Sequence, residues 1–197
     1  MVRLVKKIVN RLRCYRYNIQ EKKRMSVYAK QIKRKGGAVE ENVKFAIYGT
    51  FNVGEDVVLN STGIDLPEVC KITVCKDAEL TIGDHTGISQ TSIWCKSRIT
   101  IGNHVDIGAG CLIFDSNFHS LDWNERSDRI EGVSKAINKP VTIGDNCFIG
   151  CRCIICKGVH IGPRSIIAAG SVVTKSIPAD CIAGGNPCKV IRYNKVN

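Results

Sequence analysis

The sequence has no apolar run approaching the roughly 20 residues that span a bilayer, so no membrane-crossing helix is expected. It also lacks the opening of a secreted chain. Met1-Val-Arg-Leu-Val-Lys-Lys-Ile-Val places charges inside what would have to be the apolar core of a signal peptide. Nor is there an even set of cysteines: 11 in 197 residues is an odd count in a chain too long for a small disulfide scaffold. A reducing cytoplasm is the expected setting, with cysteine serving as a small apolar side chain. Acids are scarce in one region only. Residues 1–35 carry 13 of the 29 lysines and arginines and one acid, Glu21. The other 162 residues carry 16 bases against 17 acids, so the net charge of +11 belongs to an N-terminal arm. A neutral body excludes the broad basic face that binds nucleic acid.

Within the arm, Leu4, Ile8, Leu12, Tyr15 and Ile19 recur every three or four residues with Arg and Lys between them. That spacing predicts a basic helix or helix pair over residues 2–35, ended by Gly36-Gly37. The expected organisation is a helical segment over 1–37 and one β domain over 38–197. An apolar stripe among 13 bases suits peripheral docking on the inner face of an anionic membrane, at about 1 kcal/mol per base near the surface. The same stripe could instead pack on the domain.

The domain repeats. Ile143, Ile149, Ile155, Ile161, Ile167 and Val173 follow one another every six residues, and Cys147, Cys153, Val159, Ser165, Ser171 and Ile177 recur in step four residues later. A period of six fits neither a helix nor an ordinary two-faced strand. It fits short strands that turn a corner every six residues, three to a triangular coil, with the aliphatic side chain stacked inside. Ile101, Ile107 and Ile113 share this phase; Ile82, Ile88 and Trp94 form another inward run, and Ile47, Val53 and Leu59 a weaker one. Asn103 and Asp145-Asn146 stand at corners, where their side chains tolerate left-handed backbone angles. About six coils at about 4.8 Å make a prism roughly 29 Å tall. The period vanishes between Asp115 and Pro140 and then resumes in phase. An insertion of this length predicts a projecting functional loop over 115–140; a tail follows over 178–197.

The segments Ile101-Gly-Asn-His-Val-Asp-Ile-Gly, Asp115-Ser-Asn-Phe-His-Ser-Leu-Asp, Pro140-Val-Thr-Ile-Gly-Asp-Asn, Gly170-Ser-Val-Val-Thr-Lys-Ser-Ile-Pro and Ala183-Gly-Gly-Asn-Pro-Cys-Lys-Val-Ile-Arg together resemble the hexapeptide acetyltransferases. The nearest likeness is to the maltose and galactoside O-acetyltransferases and to those acting on capsule or exopolysaccharide, over roughly residues 75–193. The resemblance implies an all-β, left-handed parallel β-helix, against the general right-handed preference of parallel crossovers. It implies homotrimers with each site between two subunits. It implies acetyl-coenzyme A as co-substrate and a sugar or glycan hydroxyl as acceptor. His119 becomes the general base, a role suited to a side chain with a pKa near 6.5. Asp115 or Asn117 would orient its imidazole, and many relatives carry Asp where Asn117 stands. By the same resemblance, backbone near Cys151 and Ala169 flanks the pantetheine arm. Thr174 and Lys175 lie near the adenosine end, and Lys189 and Arg192 meet its phosphates. Ser89, Trp123 and Phe148 are candidates for acceptor contact. His85, His104 and His160 read as corner residues.

Three rival readings remain at this level. An N-acetyltransferase of a nucleotide-linked amino sugar would use the same base and cofactor. A γ-type carbonic anhydrase would need a second histidine five residues from His119, where Phe114 and Asn124 stand, and Cys151-x-Cys153 has no matching second pair, so no metal is expected. A non-catalytic scaffold would make the loop decorative. Because the cysteines fall on repeat positions, transfer is expected to be direct in a ternary complex, without an acetyl-cysteine.

Overall fold

A computed structural model describes residues 27–61 and 69–194. Most of the basic arm, residues 1–26, lies outside the described residues, and with it the expectations of helix and membrane docking there. Residues 27–34 are helical.

Three sheets form the walls of a triangular prism. The first wall has six strands, running from Lys44–Ile47 through Lys71–Val74, Ser92–Cys95, Leu112–Phe114 and Ile154–Ile155 to Val172–Val173. The second has five, from Thr50–Val53 to His160–Ile161. The third has eight, from Ala38–Val39 to Lys189–Tyr193. Consecutive strands fall on different walls and neighbours within a wall run parallel, except the last pair. The chain is a left-handed parallel β-helix.

Its coherence comes from the register. Ile101 pairs with Ile143 and Ile143 with Ile161; Ile107 pairs with Ile149 and Ile149 with Ile167; Ile113 pairs with Ile155 and Ile155 with Val173. All of these are buried. β-Branched side chains suit the pleated wall, and each burial contributes about 1.5–3 kcal/mol. The tight inward position beside each corner takes residues that bond the neighbouring coil. Cys147 and Cys153 donate to the carbonyls of Gly162 and Ala168 at 3.2 Å, and Ser165 donates to that of Pro178 at 2.7 Å. At the corner, a Cβ on Gly144 would lie 2.7 Å from the Pro163 nitrogen, so no side chain fits between the coils.

One corner carries a ladder. The N–H groups of Glu55, Asp84 and Asn103 donate to the side-chain oxygens of Asp84, Asn103 and Asp145, each at 2.8 Å. The residues that follow, among them Asp56, His85, His104 and Asn146, have φ between 49° and 58°, the region Asn and Asp tolerate best. His85 and His104 are therefore corner residues, their rings stacked 4.8 Å apart. His160 is not: it lies in a strand on the second wall, exposed.

Ile47, Val53 and Leu59 point inward as expected, but Trp94 does not. Ile93 fills the bore, paired with Ile72 and Ile113, and Trp94 is 39% exposed beside Phe114 on the outer face. The corner at Gln90, with φ 40°, takes one residue fewer than the repeat, and a slip of one reverses a strand's faces.

The loop leaves the prism after Phe114 and contains two short helices, Trp123–Ser127 and Arg129–Ser134. Asp122 and Asp128 cap them, accepting from Asn124 N at 2.9 Å and from Ile130 and Glu131 N at 2.7 and 2.9 Å. Its two ends are tied together: Asn117 N donates to Ile137 O at 3.0 Å and Lys139 N to Asp115 O at 2.8 Å.

Replacing Ile161 by Ala should cost about 2–5 kcal/mol of stability, whereas His160→Ala on the outer face should stay within about 0.5 kcal/mol. Denaturant titration of the two variants reads the register directly. Equal losses would place the wrong residue in the bore.

Candidate active site

The loop delivers His119 through a constrained turn. Phe118 has φ 63°, which a bulky side chain adopts only under support. Its N–H donates to Ser116 Oγ at 2.9 Å. Its ring packs edge-on against Trp94, 5.7 Å between centroids, and against Phe114 at 5.5 Å. Such aromatic contacts contribute about 0.5–1.5 kcal/mol each beyond area burial, enough to offset the strained φ. Trp94, facing outward, thus anchors the turn from the neighbouring coil. His119 follows, exposed, with no hydrogen bond from its imidazole to another described residue.

Sequence reasoning missed the clamp on its other side. Ser120 Oγ bonds the Glu125 carboxylate, and Ser120 N donates to Gly132 O at 2.7 Å. Arg126 Nη1 donates to the carbonyls of Ser120 and Leu121 at 2.9 and 2.8 Å. The Ser120 hydroxyl and then the Lys135 ammonium hold the Glu125 carboxyl below its usual range. The signal was present, because Asp122 at the helix cap places Glu125 and Arg126 within one turn of Ser120.

Asp115 is a correction. Its carboxylate is fully buried and accepts Lys96 N at 2.7 Å and Ser97 N at 2.6 Å, with Cys95 Sγ at 3.7 Å. It holds the preceding coil's turn to the root of the loop and does not orient His119. Asn117 is differently placed. Its Nδ2 is buried without a partner among the described residues, two positions from His119.

Ser89 and Phe148 are brought together on the third wall, lining a groove of about 420 Å³ with Asp56, Asn60, His85 and Asp106. The last four were not read as site residues: they come from three coils, and only the strand register aligns them. His85 Nδ1 lies 3.3 Å from Asp56 Oδ2. Neither His119 nor Trp123 lines the groove; Trp123 opens the first loop helix and is 71% exposed.

Cys151 and Ala169 sit at one corner on successive coils: Gly170 N donates to Cys151 O at 2.8 Å, and Ala169 N would lie 2.5 Å from a Cβ on Gly150. Thr174 and Lys175 are exposed just beyond Val173, and Lys189 and Arg192 are exposed on the antiparallel last strand. Burial pushes the thiols of Cys70 and Cys95 up to about 12, so they stay protonated at neutral pH. Among the described residues, no group of three or more His, Cys, Asp and Glu is placed to hold a metal ion, and no helix is long and apolar enough to cross a membrane.

The family model described as the hexapeptide repeat of succinyl-transferase matches residues 140–175. The galactoside O-acetyltransferase of Escherichia coli is 55% identical over 88 residues, 45% of this chain and 43% of that protein. The chain spans less than half the length of the curated relatives it matches. Among solved structures, a hexapeptide-repeat acetyltransferase of Vibrio cholerae complexed with acetyl-coenzyme A is 31% identical, with 79% of this chain and 73% of that one superposed at a TM-score of 0.56. A galactoside acetyltransferase in complex with coenzyme A is 28% identical, over 73% of this chain and 65% of that one, at a TM-score of 0.54. The stacked six-residue register, the loop interrupting it and these likenesses agree: the chain belongs to the hexapeptide-repeat acetyltransferases.

Proposed function

We propose that the protein moves an acetyl group from acetyl-coenzyme A to a sugar hydroxyl, directly within a ternary complex, with His119 as the general base. The observation that carries this reading is the delivery of His119: an exposed imidazole held between the Phe118 turn and the Ser120–Glu125–Arg126 clamp. A loop fixed on both sides of an otherwise unengaged histidine suits proton transfer better than decoration. The likeness to the E. coli galactoside enzyme and to the V. cholerae neighbour solved with acetyl-coenzyme A supports the substrate pair.

In this mechanism the imidazole takes the acceptor's hydroxyl proton as that oxygen attacks the thioester carbonyl. The tetrahedral intermediate carries its charge on the former carbonyl oxygen, facing backbone N–H donors. Collapse expels the coenzyme thiolate, which takes the proton back from His119. Asn117, whose side-chain oxygen can accept from the other imidazole nitrogen, is the remaining candidate to orient it. Lys189 and Arg192 offer exposed cations for the coenzyme's phosphates, Thr174 and Lys175 flank its adenosine end, and the Cys151–Ala169 corner flanks the pantetheine. The cysteines in the bore serve packing, so no acyl-cysteine forms.

His119 and the groove holding Ser89 and Phe148 lie on different parts of one chain. A homotrimer, in which one copy's loop meets its neighbour's third wall, would complete the site. The basic arm would hold this assembly at the cytoplasmic face of an anionic membrane, close to glycan acceptors of a surface polysaccharide.

Substituting His119 by Ala should lower kcat by about 10²–10⁴-fold and leave the Kd for coenzyme A within about twofold. Retention of more than a tenth of kcat would sink the assignment. Initial velocities over both substrates should give intersecting lines. A radiolabelled acetyl-enzyme that discharges on adding sugar would replace direct transfer with a covalent route.

A further inference from the structure

The inward corner position that opens the first wall forms a ladder of its own. Strand register places Cys70, Thr91, Cys111, Cys153 and Ser171 on successive rungs, all fully buried. The rungs bond carbonyls of the corner beside them. Thr91 Oγ1 reaches Gly108 O at 3.2 Å, Cys111 Sγ reaches Gly150 O at 3.2 Å, Cys153 Sγ reaches Ala168 O at 3.2 Å, and Ser171 Oγ bonds Ala168 O as well. A hydroxyl fits the position and is the stronger donor. Size and hydrogen bonding therefore do not explain why Cys111 and Cys153, on adjacent rungs, both carry sulfur. At the corner that opens the third wall the thiols are kept apart, because Ser165 stands between Cys147 and Cys181.

The two sulfur rungs flank the root of the His119 loop, which leaves the prism after Phe114 and returns at Val141. Leu112 N donates to Cys153 O at 2.9 Å, so the two backbones lie one strand spacing apart, about 4.8 Å. A disulfide joins Cα atoms separated by about 4.4–6.8 Å. The thiols also interact directly. The bond from Cys111 pulls the Cys153 thiol below its usual range, and the same bond pushes Cys111 up. A pair that shares its protons in this way loses the first one more readily than an isolated buried thiol. Partly exposed Cys151, at the same corner, marks the nearest approach of solvent along the chain.

We propose that Cys111 and Cys153 form a reversible redox site, which a hydroperoxide oxidises to a disulfide stapling the coils on either side of the His119 loop. With hydrogen peroxide, the Cys153 thiolate attacks one oxygen, the O–O bond breaks, and the departing hydroxide takes up the thiol's proton as water. A sulfenic acid remains. The Cys111 sulfur then attacks the sulfenic sulfur, S–S forms as S–O breaks, and the second hydroxide leaves as water with the Cys111 proton. Two thiols lose two electrons and the peroxide gains them. The bond also withdraws both thiol hydrogens from the carbonyls of Gly150 and Ala168, which precede Cys151 and Ala169. The staple is independent of the acetyl-transfer reading; its effect on coenzyme binding rests on that reading, through the corner proposed to flank the pantetheine.

Treating the reduced full-length protein with hydrogen peroxide, blocking free thiols and digesting with trypsin locates the bond by mass. Cys111 lies alone in peptide 99–126, Cys153 in 153–157 with Cys156, and Cys151 in 136–152. Peptides 99–126 and 153–157 should be linked, released by dithiothreitol, and unlinked in Cys111→Ser and in Cys153→Ser. Serine keeps the carbonyl bond, as Ser171 does, so both variants should fold; if either does not, the wild-type map alone decides. The oxidised wild type should melt about 5 °C above the reduced form. Its Kd for coenzyme A should rise about threefold to tenfold, the worth of a lost hydrogen bond. Linkage of other cysteines instead, free Cys111 and Cys153 after treatment that oxidises Cys151, or a melting shift that survives in Cys111→Ser would overturn the proposal. The expected cross-link with coenzyme binding unchanged would retain the redox site and remove the coenzyme corner from it.

Discussion

The bore of the prism is filled by aliphatic side chains stacked coil upon coil, and the rest of the structure follows from that narrowness. Isoleucine stacked on isoleucine fixes the strand register, because a shift along the wall would drive corner residues inside. Fixed register sets the height of every outer side chain to multiples of the strand spacing, about 4.8 Å. The inside is filled mostly by Ile, Val, Leu and Cys, with Phe45 and Phe51 in the first coil. The outside is unconstrained, and residues from coils distant in sequence can be assembled there into a surface with chemical purpose.

The two halves of the candidate site use this freedom differently. The groove is assembled from polar side chains that successive coils bring to one flat wall. The His119 loop is made by interruption, which has to be anchored. Asp115 stands at an inward position, below Cys95 and two residues beyond Ile113. A carboxylate there would be prohibitive unless fully bonded, and two backbone N–H groups of the preceding coil satisfy it. The strand ends on a buried side chain held by two backbone N–H groups, so the turn at Phe118 starts from a fixed point.

The repeat was legible in the sequence because a period of six over six turns has no competing explanation. What defeated the reading was local. Trp94 fitted the inward phase by count, and only the shortened corner at Gln90 moved Ile93 into the bore. Asp115 looked catalytic because it is near His119 along the chain, yet sequence distance says nothing about which wall a carboxylate faces. His160 sits one residue before an inward isoleucine and so belongs to a strand. The loop helices could have been read from Asp122 and Asp128, each a cap residue two positions before the N–H it receives. The groove could not: Asp56, Ser89, Asp106 and Phe148 are scattered over more than ninety residues and meet only through pairing across coils.

A stack of equivalent rungs has no natural length; each end offers an open row of backbone groups and a hydrophobic hole to whatever can lie on it. This molecule carries a stopper at both ends. The helical residues 27–34 lay Ile32 over the first coil, where Tyr28 joins Phe45 and Phe51. At the other end the chain reverses, and Lys189–Tyr193 runs antiparallel along Cys181–Gly184. A reversed strand cannot template another parallel rung. The tail that brings cations to the proposed coenzyme site therefore also closes the third wall against a further parallel strand.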